Sequence, residues 1–283
     1  MAVRDISHVE LYTRDKVATV RFLVSTMGFT RVADSVAVDR SCVLLRHGDV
    51  QIVVTSGWTT GKWLSEHGGG VVDIAVTCDD VSETVRAALA AGANVTHSPH
   101  GNPVVSGWGG VSHTLLSAAT AGSAVPPAGH KWTASPGAPA EPEGRARRLD
   151  HIAIRLETSS LAEYTALCTE VFGLAPVPAT HLVSGEQVAA PVVLRSSSKR
   201  VAFALTAADA YDYIGALRPP SDPERTIGAH RLAFLADGVL SEAREFRDRG
   251  TRGLCYQLVE SRCAHEFGTA DAGLAARTSS SVG

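Results

Sequence analysis

The chain has 283 residues, 45% of them hydrophobic and 19% charged, the composition of an ordinary soluble globular protein long enough for two domains. A net charge of −3, from 26 basic and 29 acidic residues, argues against a nucleic-acid-binding surface or attraction to an anionic membrane. No apolar run approaches the roughly 18 residues a membrane span needs. Neither a transmembrane segment nor a signal peptide is therefore expected, and the expected location is cytoplasmic.

The first strand is predicted over Asp5-Ile6-Ser7-His8-Val9-Glu10-Leu11-Tyr12. Period-2 alternation places Ile6, His8, Glu10 and Tyr12 on one face and Ser7, Val9 and Leu11 on the other. Two later strands, Val71–Val76 and Val111–Leu116, also carry single polar residues among apolar ones, namely Asp73 and His113. His8, Asp73 and His113 supply two imidazoles and one carboxylate, the ligand set of a non-heme Fe(II) triad with open positions. Fe(II), or another divalent metal, is the expected cofactor. Glu10, two residues from His8 on the same predicted face, is the candidate catalytic base.

A weak repeat organises the chain. A strand, a polar helix start, an amphipathic helix and a closing glycine recur from Ile6 to Gly28 and from Val71 to Gly92. They recur again from Leu149 to Gly173 and from His230 to Gly250. Asp or Ser at the helix start and glycine after its end are the expected punctuation. The fourth copy's helix is expected through Ala243 and Phe246. Alternating runs follow the helices, so each unit reads as strand–helix–three strands, and two units make a domain. The fold class is α+β. Residues 1–118 form a first domain, and 119–147, rich in Ala, Pro and Gly, an extended and poorly packed linker. Residues 148–283 form a second domain that is shortened, because Arg249-Gly250-Thr251-Arg252-Gly253 runs almost directly into the last strand.

Five cysteines, Cys42, Cys78, Cys168, Cys255 and Cys263, contain no CxxC pair and are expected as free buried thiols. Trp108, among the glycines of Ser106-Gly107-Trp108-Gly109-Gly110, is placed either at the mouth of the first domain's cavity or as a packing plug. No GxSxG elbow, phosphate-binding loop or dinucleotide-binding glycine signature is present.

The paired units resemble the vicinal oxygen chelate superfamily, and within it the 4-hydroxyphenylpyruvate dioxygenase and 4-hydroxymandelate synthase family. The matching stretches include His8-Val9-Glu10-Leu11-Tyr12, Gly69-Gly70-Val71-Val72-Asp73-Ile74-Ala75 and Gly109-Gly110-Val111-Ser112-His113-Thr114-Leu115. In the second half they include Leu149-Asp150-His151-Ile152-Ala153-Ile154, Gly228-Ala229-His230-Arg231-Leu232-Ala233-Phe234 and Tyr256-Gln257-Leu258-Val259-Glu260. The resemblance implies an iron site in the second domain, on a His, a His and a Glu. Those positions fall here on His151, Arg231 and Gln257, so one ligand survives and that site is expected to be degenerate. In the first domain the resemblance implies Tyr, Asp and His without metal, whereas this chain has His8 beside Asp73 and His113.

The resulting expectation is a non-heme Fe(II) oxygenase acting on a small aromatic substrate, 2-oxo acid-like or phenolic, in bacterial specialised metabolism. A homodimer or heterodimer is the expected assembly. The rival readings are a metal-free small-molecule-binding protein, a non-catalytic partner subunit, and a divalent-metal isomerase, lyase or hydrolase.

Overall fold

The computed structural model describes residues 3–119, 125–138, 146–177, 191–208, 227–236, 244–247 and 254–260. In chain order the first half runs β1 (Val3–Tyr12), α1 (Lys16–Ser25), β2 (Thr30–Val36), β3 (Arg40–His47), β4 (Val50–Gly57) and α2 (Gly61–His67). It continues with β5 (Gly70–Cys78), α3 (Val81–Ala90), β6 (Asn94–His97), β7 (Pro103–Trp108), β8 (Val111–Ser117) and the short β9 (Thr133–Ala134). The second half runs β10 (Ala146–Leu156), α4 (Thr158–Ala166) with a π turn over Leu167–Val171, then β11 (Ala175–Pro176), β12 (Val192–Arg195), β13 (Ala202–Ala207), β14 (Gly228–Ala236), β15 (Arg244–Arg247) and β16 (Cys255–Glu260).

These strands form two mixed sheets. One has the order β6-β7-β8-β5-β1-β4-β3-β2-β9, the other β11-β12-β13-β10-β14-β16-β15. Within each, two units join through an antiparallel pair, β1 with β5 and β10 with β14. The α+β architecture expected from the repeat is present. Its punctuation is as expected too: the Asp15 carboxylate accepts from the Ala18 N–H at 2.9 Å and Asp80 from the Glu83 N–H at 2.8 Å. Gly28 and Gly92 close α1 and α3 at φ +78° and +79°, in the left-handed region that favours glycine.

Three departures from the sequence reading are informative. The first lies inside β1, where the pairing with β5 slips between Ile6 and His8. The bulge turns Ile6 into the apolar core with Val9 and Leu11, so it does not share a face with His8 and Glu10. The second concerns the fourth unit. Arg244–Arg247 is not helical but an edge strand on β16, with Phe246 paired to Tyr256; Ala243 and Gly250 lie outside the described residues. With so few residues before β16, this segment adds a strand to an otherwise open edge instead of crossing over as a helix. The third is the linker. Ala134 pairs with Ala33 and Thr133 with Asp34, so part of the segment expected to be poorly packed extends the first sheet.

The outer faces of both sheets and their helices share one apolar core, in which Leu11, Ile52, Ile74, Ile152, Phe203, Leu232 and Phe234 are fully buried. Cys42, Cys78, Cys168 and Cys255 are free and buried, as expected; Cys263 lies outside the described residues. Trp108 packs in this core, with its ring centroid 5.5 Å from that of Tyr164. At the periphery the halves are tied by Arg200, which donates to Asp5 at 2.6 Å and Asp49 at 3.1 Å, and by the Val3 N–H on the Phe172 carbonyl at 3.0 Å. Among the described residues no helix is long and apolar enough to cross a membrane.

Inside the core His113 makes a polar join between the halves. Its Nδ1 lies 3.3 Å from the Ile74 carbonyl and its Nε2 2.7 Å from the Tyr164 hydroxyl. A carbonyl can only accept, so Nδ1 carries the proton and the Tyr164 hydroxyl donates to Nε2. Tyr164→Phe leaves that buried acceptor unsatisfied and is expected to cost about 1–3 kcal/mol in urea unfolding. Burial lowers the His113 pKa from 6.5 to about 4. The folded chain therefore binds fewer protons than the unfolded one between those values, and this residue's contribution is lost as pH falls through the window. His113→Gln is expected to flatten the dependence of melting temperature on pH between about 6.5 and 4.

Candidate functional site

The inner face of the first sheet, opposite the shared core, carries the polar residues singled out in the sequence. Register aligns them in one row across the strands. Ser112 of β8 pairs with Asp73 of β5, Asp73 with Glu10 of β1, and Glu10 with Val53 of β4. Val53 pairs with Leu44 of β3, Leu44 with Ala33 of β2, and Ala33 with Ala134 of β9. Residues directly paired across strands share a face, so two carboxyl groups stand side by side on a floor of small apolar side chains. His8 pairs with Ala75 and stands two residues from Glu10 on the same face.

Hydrogen bonds fix the carboxyls. Asp73 Oδ1 accepts from the Ser112 hydroxyl at 2.8 Å and from the Thr114 N–H at 3.1 Å. Glu10 Oε1 accepts from the Thr55 hydroxyl at 2.7 Å, which also lies 3.3 Å from the Cys42 sulfur. Burial first, and the neighbouring Glu10 second among the forces that oppose ionisation, push the Asp73 pKa up to about 7; the Ser112 and Thr114 hydrogen bonds work the other way. The Glu10 pKa is raised by burial as well, against the Thr55 hydrogen bond and the field of Arg40. Burial, then the proximity of His130, lowers that of His8 to about 3, so its imidazole is neutral at physiological pH. The face thus holds a neutral imidazole and a carboxyl pair that retains a proton close to neutrality.

His113 does not join this group. Ser112 is the residue in register with Asp73, so His113 turns to the opposite face, where Phe172 and Phe203 surround it and Tyr164 occupies its Nε2. The expected ligand set His8, Asp73 and His113 is therefore not brought together. Thr114, two residues beyond Ser112, occupies the inner-face place, equivalent to that of Gln257 in the second half. Period 2 gave the spacing within each strand, but the register between strands was off by one. Among the described residues no three or more His, Cys, Asp and Glu side chains are arranged to hold a metal ion.

Sequence reasoning also missed the covering segment. Residues 125–135 pass over this face: the Val125 carbonyl accepts from the Gln51 amide at 3.1 Å, and Trp132 packs on Ala33, Cys42, Leu44 and Val53. The Trp132 indole donates to the Pro127 carbonyl at 2.8 Å, with the His130 ring centroid 4.5 Å from its own. The indole among prolines was the available signal, since a tryptophan in a linker finds burial somewhere.

The second sheet repeats the arrangement with different chemistry. Cys255 pairs with Arg231, Arg231 with Ala153, Ala153 with Ala204, and Ala204 with Val193. Arg231 therefore stands where Asp73 stands in the first sheet, Ala153 where Glu10 stands, and His151, paired with Ala233, where His8 stands. A guanidinium at this position does not fit a metal ligand set.

This geometry, two sheets each built from paired units around an inner face, defines the class. Residues 7–108 match the Glyoxalase/Bleomycin resistance protein/Dioxygenase superfamily. It is 27% identical over 134 residues to 4-hydroxyphenylpyruvate dioxygenase of Yarrowia lipolytica, an alignment that takes in 40% of this chain and 34% of that protein. The match thus spans about a third of that relative's length. In structure the chain is similar to a mutant of 4-hydroxymandelate synthase from Streptomyces coelicolor, with TM-score 0.75 and 23% identity over 97% of this chain and 99% of that one. It is also similar to a xylose isomerase-like TIM barrel/4-hydroxyphenylpyruvate dioxygenase fusion protein, with TM-score 0.64 and 19% identity over 84% of this chain and 37% of that one.

The electrostatics of the row carry a stability signature. Because the Asp73 pKa lies above its ordinary 3.8, the folded state holds a proton that the unfolded state releases between about pH 4 and 7. The stability this gives is lost as pH rises through that interval. Asp73→Asn is expected to remove this part of the decline, read as a flatter profile of melting temperature against pH.

Proposed function

We propose that the protein is a small-molecule enzyme of its superfamily whose working site is the inner face of the first sheet, and whose chemistry is proton transfer by the Glu10–Asp73 pair. The observation that carries this reading is the direct cross-strand pairing of the two carboxyl residues on a buried face, with a pKa of about 7 at Asp73. Two adjacent carboxyls, of which Asp73 holds its proton up to about pH 7, form an acid–base couple. Glu10, held by the Thr55 hydroxyl, is the base, and protonated Asp73 is the acid. The neutral His8 imidazole beside them is placed to orient the substrate through a hydrogen bond.

The names of the relatives, and the apolar floor of Ala33, Cys42, Leu44 and Val53 with Trp132 above it, favour a small aromatic 2-oxo acid. For such a substrate, Glu10 takes a proton from the carbon next to the carbonyl while Asp73 gives its proton to the carbonyl oxygen. A C–H bond breaks, an O–H bond forms, and the ketone becomes its enol with no redox partner. Iron would supply oxygen activation in a dioxygenase of this superfamily. The donor set does not fit it: His113 faces the core and Arg231 occupies the equivalent place in the second sheet. No step is therefore routed through a metal.

The test is exchange of the methylene protons of phenylpyruvate for deuterium, followed by NMR. The wild-type chain is expected to accelerate exchange over buffer, and Glu10→Gln and Asp73→Asn each to reduce the acceleration by about 10²–10⁴-fold. Exchange that survives the double substitution overturns the assignment. Stoichiometric iron retained after anaerobic loading and lost in His8→Ala overturns it in favour of an iron-dependent oxygenase.

A further inference from the structure

The inner face of the second sheet carries basic residues where the first carries acids. Arg231, His151 and Arg155 are 8%, 6% and 2% exposed, and they occupy three successive rows of one face. His151 pairs with Ala233, Ala233 with Gln257, Ala153 with Arg231, and Arg155 with Gly228 and Thr206. Between these tall side chains the floor is low, formed by Ala153, Val193 and Ala204. Asp150 borders the face, 2.9 Å from His151 and 3.8 Å from Arg195, and the edge strand brings Glu245 into register with Gln257. Two buried guanidiniums and an imidazole thus share a small region, with Arg195 and Asp150 at its margin.

A second observation points to a ligand. The Thr206 hydroxyl and the Gln257 carbonyl oxygen are both buried, in residues 9% and 1% exposed, and neither makes a hydrogen bond among the described residues. Leaving such groups unsatisfied is costly. His230, the bulged residue of β14, lies beside the same groups. Burial first, then Arg231, Arg155 and His151, lower the His230 pKa to about 3.

We infer that this face binds a small organic carboxylate, with Arg231 and Arg155 as its cationic clamp, Thr206 donating to it, and Gln257 accepting from an O–H or N–H of the same ligand. A guanidinium has five N–H donors in a planar fork, so it holds neighbouring protein acceptors and a carboxylate together. It stays charged at any physiological pH, and burial makes its attraction for an anion stronger than at a surface. The floor of Ala153, Val193 and Ala204, with Val177 packed against it, offers apolar contact to a body attached to the carboxylate. A protein-borne cation thereby stands at the position where the family resemblance places a metal ion's ligand.

Isothermal titration of the full chain with phenylacetate, phenylacetamide and inorganic phosphate tests this. Phenylacetate is expected to bind one per chain and the neutral phenylacetamide not at all. Arg231→Met is expected to weaken phenylacetate binding at least tenfold and Thr206→Val several-fold. Replacing a buried guanidinium by an apolar side chain of similar length is often tolerated. Circular dichroism of both variants establishes that they are folded, and the isosteric Thr206→Val keeps the test valid if Arg231→Met is not. Asp73→Asn, on the other sheet, is expected to leave the affinity unchanged, which separates this site from the proposed acid–base pair. Unchanged affinity in both Arg231→Met and Thr206→Val, loss of binding in Asp73→Asn, or binding of phosphate without phenylacetate each overturns the inference.

Discussion

The antiparallel joints between β1 and β5 and between β10 and β14 constrain everything else in the molecule. Each lies near the middle of its sheet and brings two repeated units edge to edge, and the period-2 alternation on either side sorts side chains into two environments. One environment is the common core. Val9, Leu11, Ile74, Ile152, Ile154 and Leu232 fill it and are essentially inaccessible to water. The other is the pair of inner faces. A bulge shifts that sorting by one residue, and both joints contain several. The slip between Ile6 and His8 keeps Ile6 in the core while His8 faces inward, an arrangement no unbroken strand permits.

On this common frame the two inner faces have opposite electrostatics. Asp73 and Arg231 occupy equivalent positions, as do Glu10 and Ala153. Burial acts on the two sides in different ways. A carboxyl removed from water relieves the penalty by taking a proton, as the elevated Asp73 does, and so becomes a reagent for proton transfer. A guanidinium has no such escape, because it does not deprotonate in a protein. It must be met by anionic or hydrogen-bond-accepting partners, and this asymmetry favours proton chemistry in the first sheet and anion recognition in the second.

Local chemistry made much of the fold legible. Asp15 and Asp80 announce helix starts because each short carboxylate caps an exposed N–H, and Gly28 and Gly92 announce helix ends because the backbone there turns left-handed. The features that escaped the sequence are non-local. His113 reads as an inward ligand until the pairing of Ser112 with Asp73 fixes its direction. Arg244–Arg247 reads as helix by analogy with three earlier copies until the open edge of β16 recruits it as a strand. Trp132 reads as linker until the apolar floor of Ala33, Leu44 and Val53 offers it burial. In each case a partner distant in sequence decides, and period and propensity within one segment carry no information about it.

The division of labour between faces also explains how one scaffold accommodates such different sites. The core depends on residues such as Leu11, Ile74, Phe203 and Phe234, none of which reaches the inner faces, so exchanging acid for base at the Asp73 and Arg231 positions leaves its packing untouched. The cost of a buried charge is then confined to its own face. There it is offset locally, by the Ser112 and Thr55 hydroxyls on the acidic side and by Asp150 near Arg195 on the basic one. His113 is the exception that joins the two requirements. It is a polar residue on the core face, satisfied at both nitrogens by Ile74 and Tyr164. Because Tyr164 comes from the other half of the chain, the hydrogen bond ties the position of one sheet to the other and specifies their docking more narrowly than apolar contact alone would.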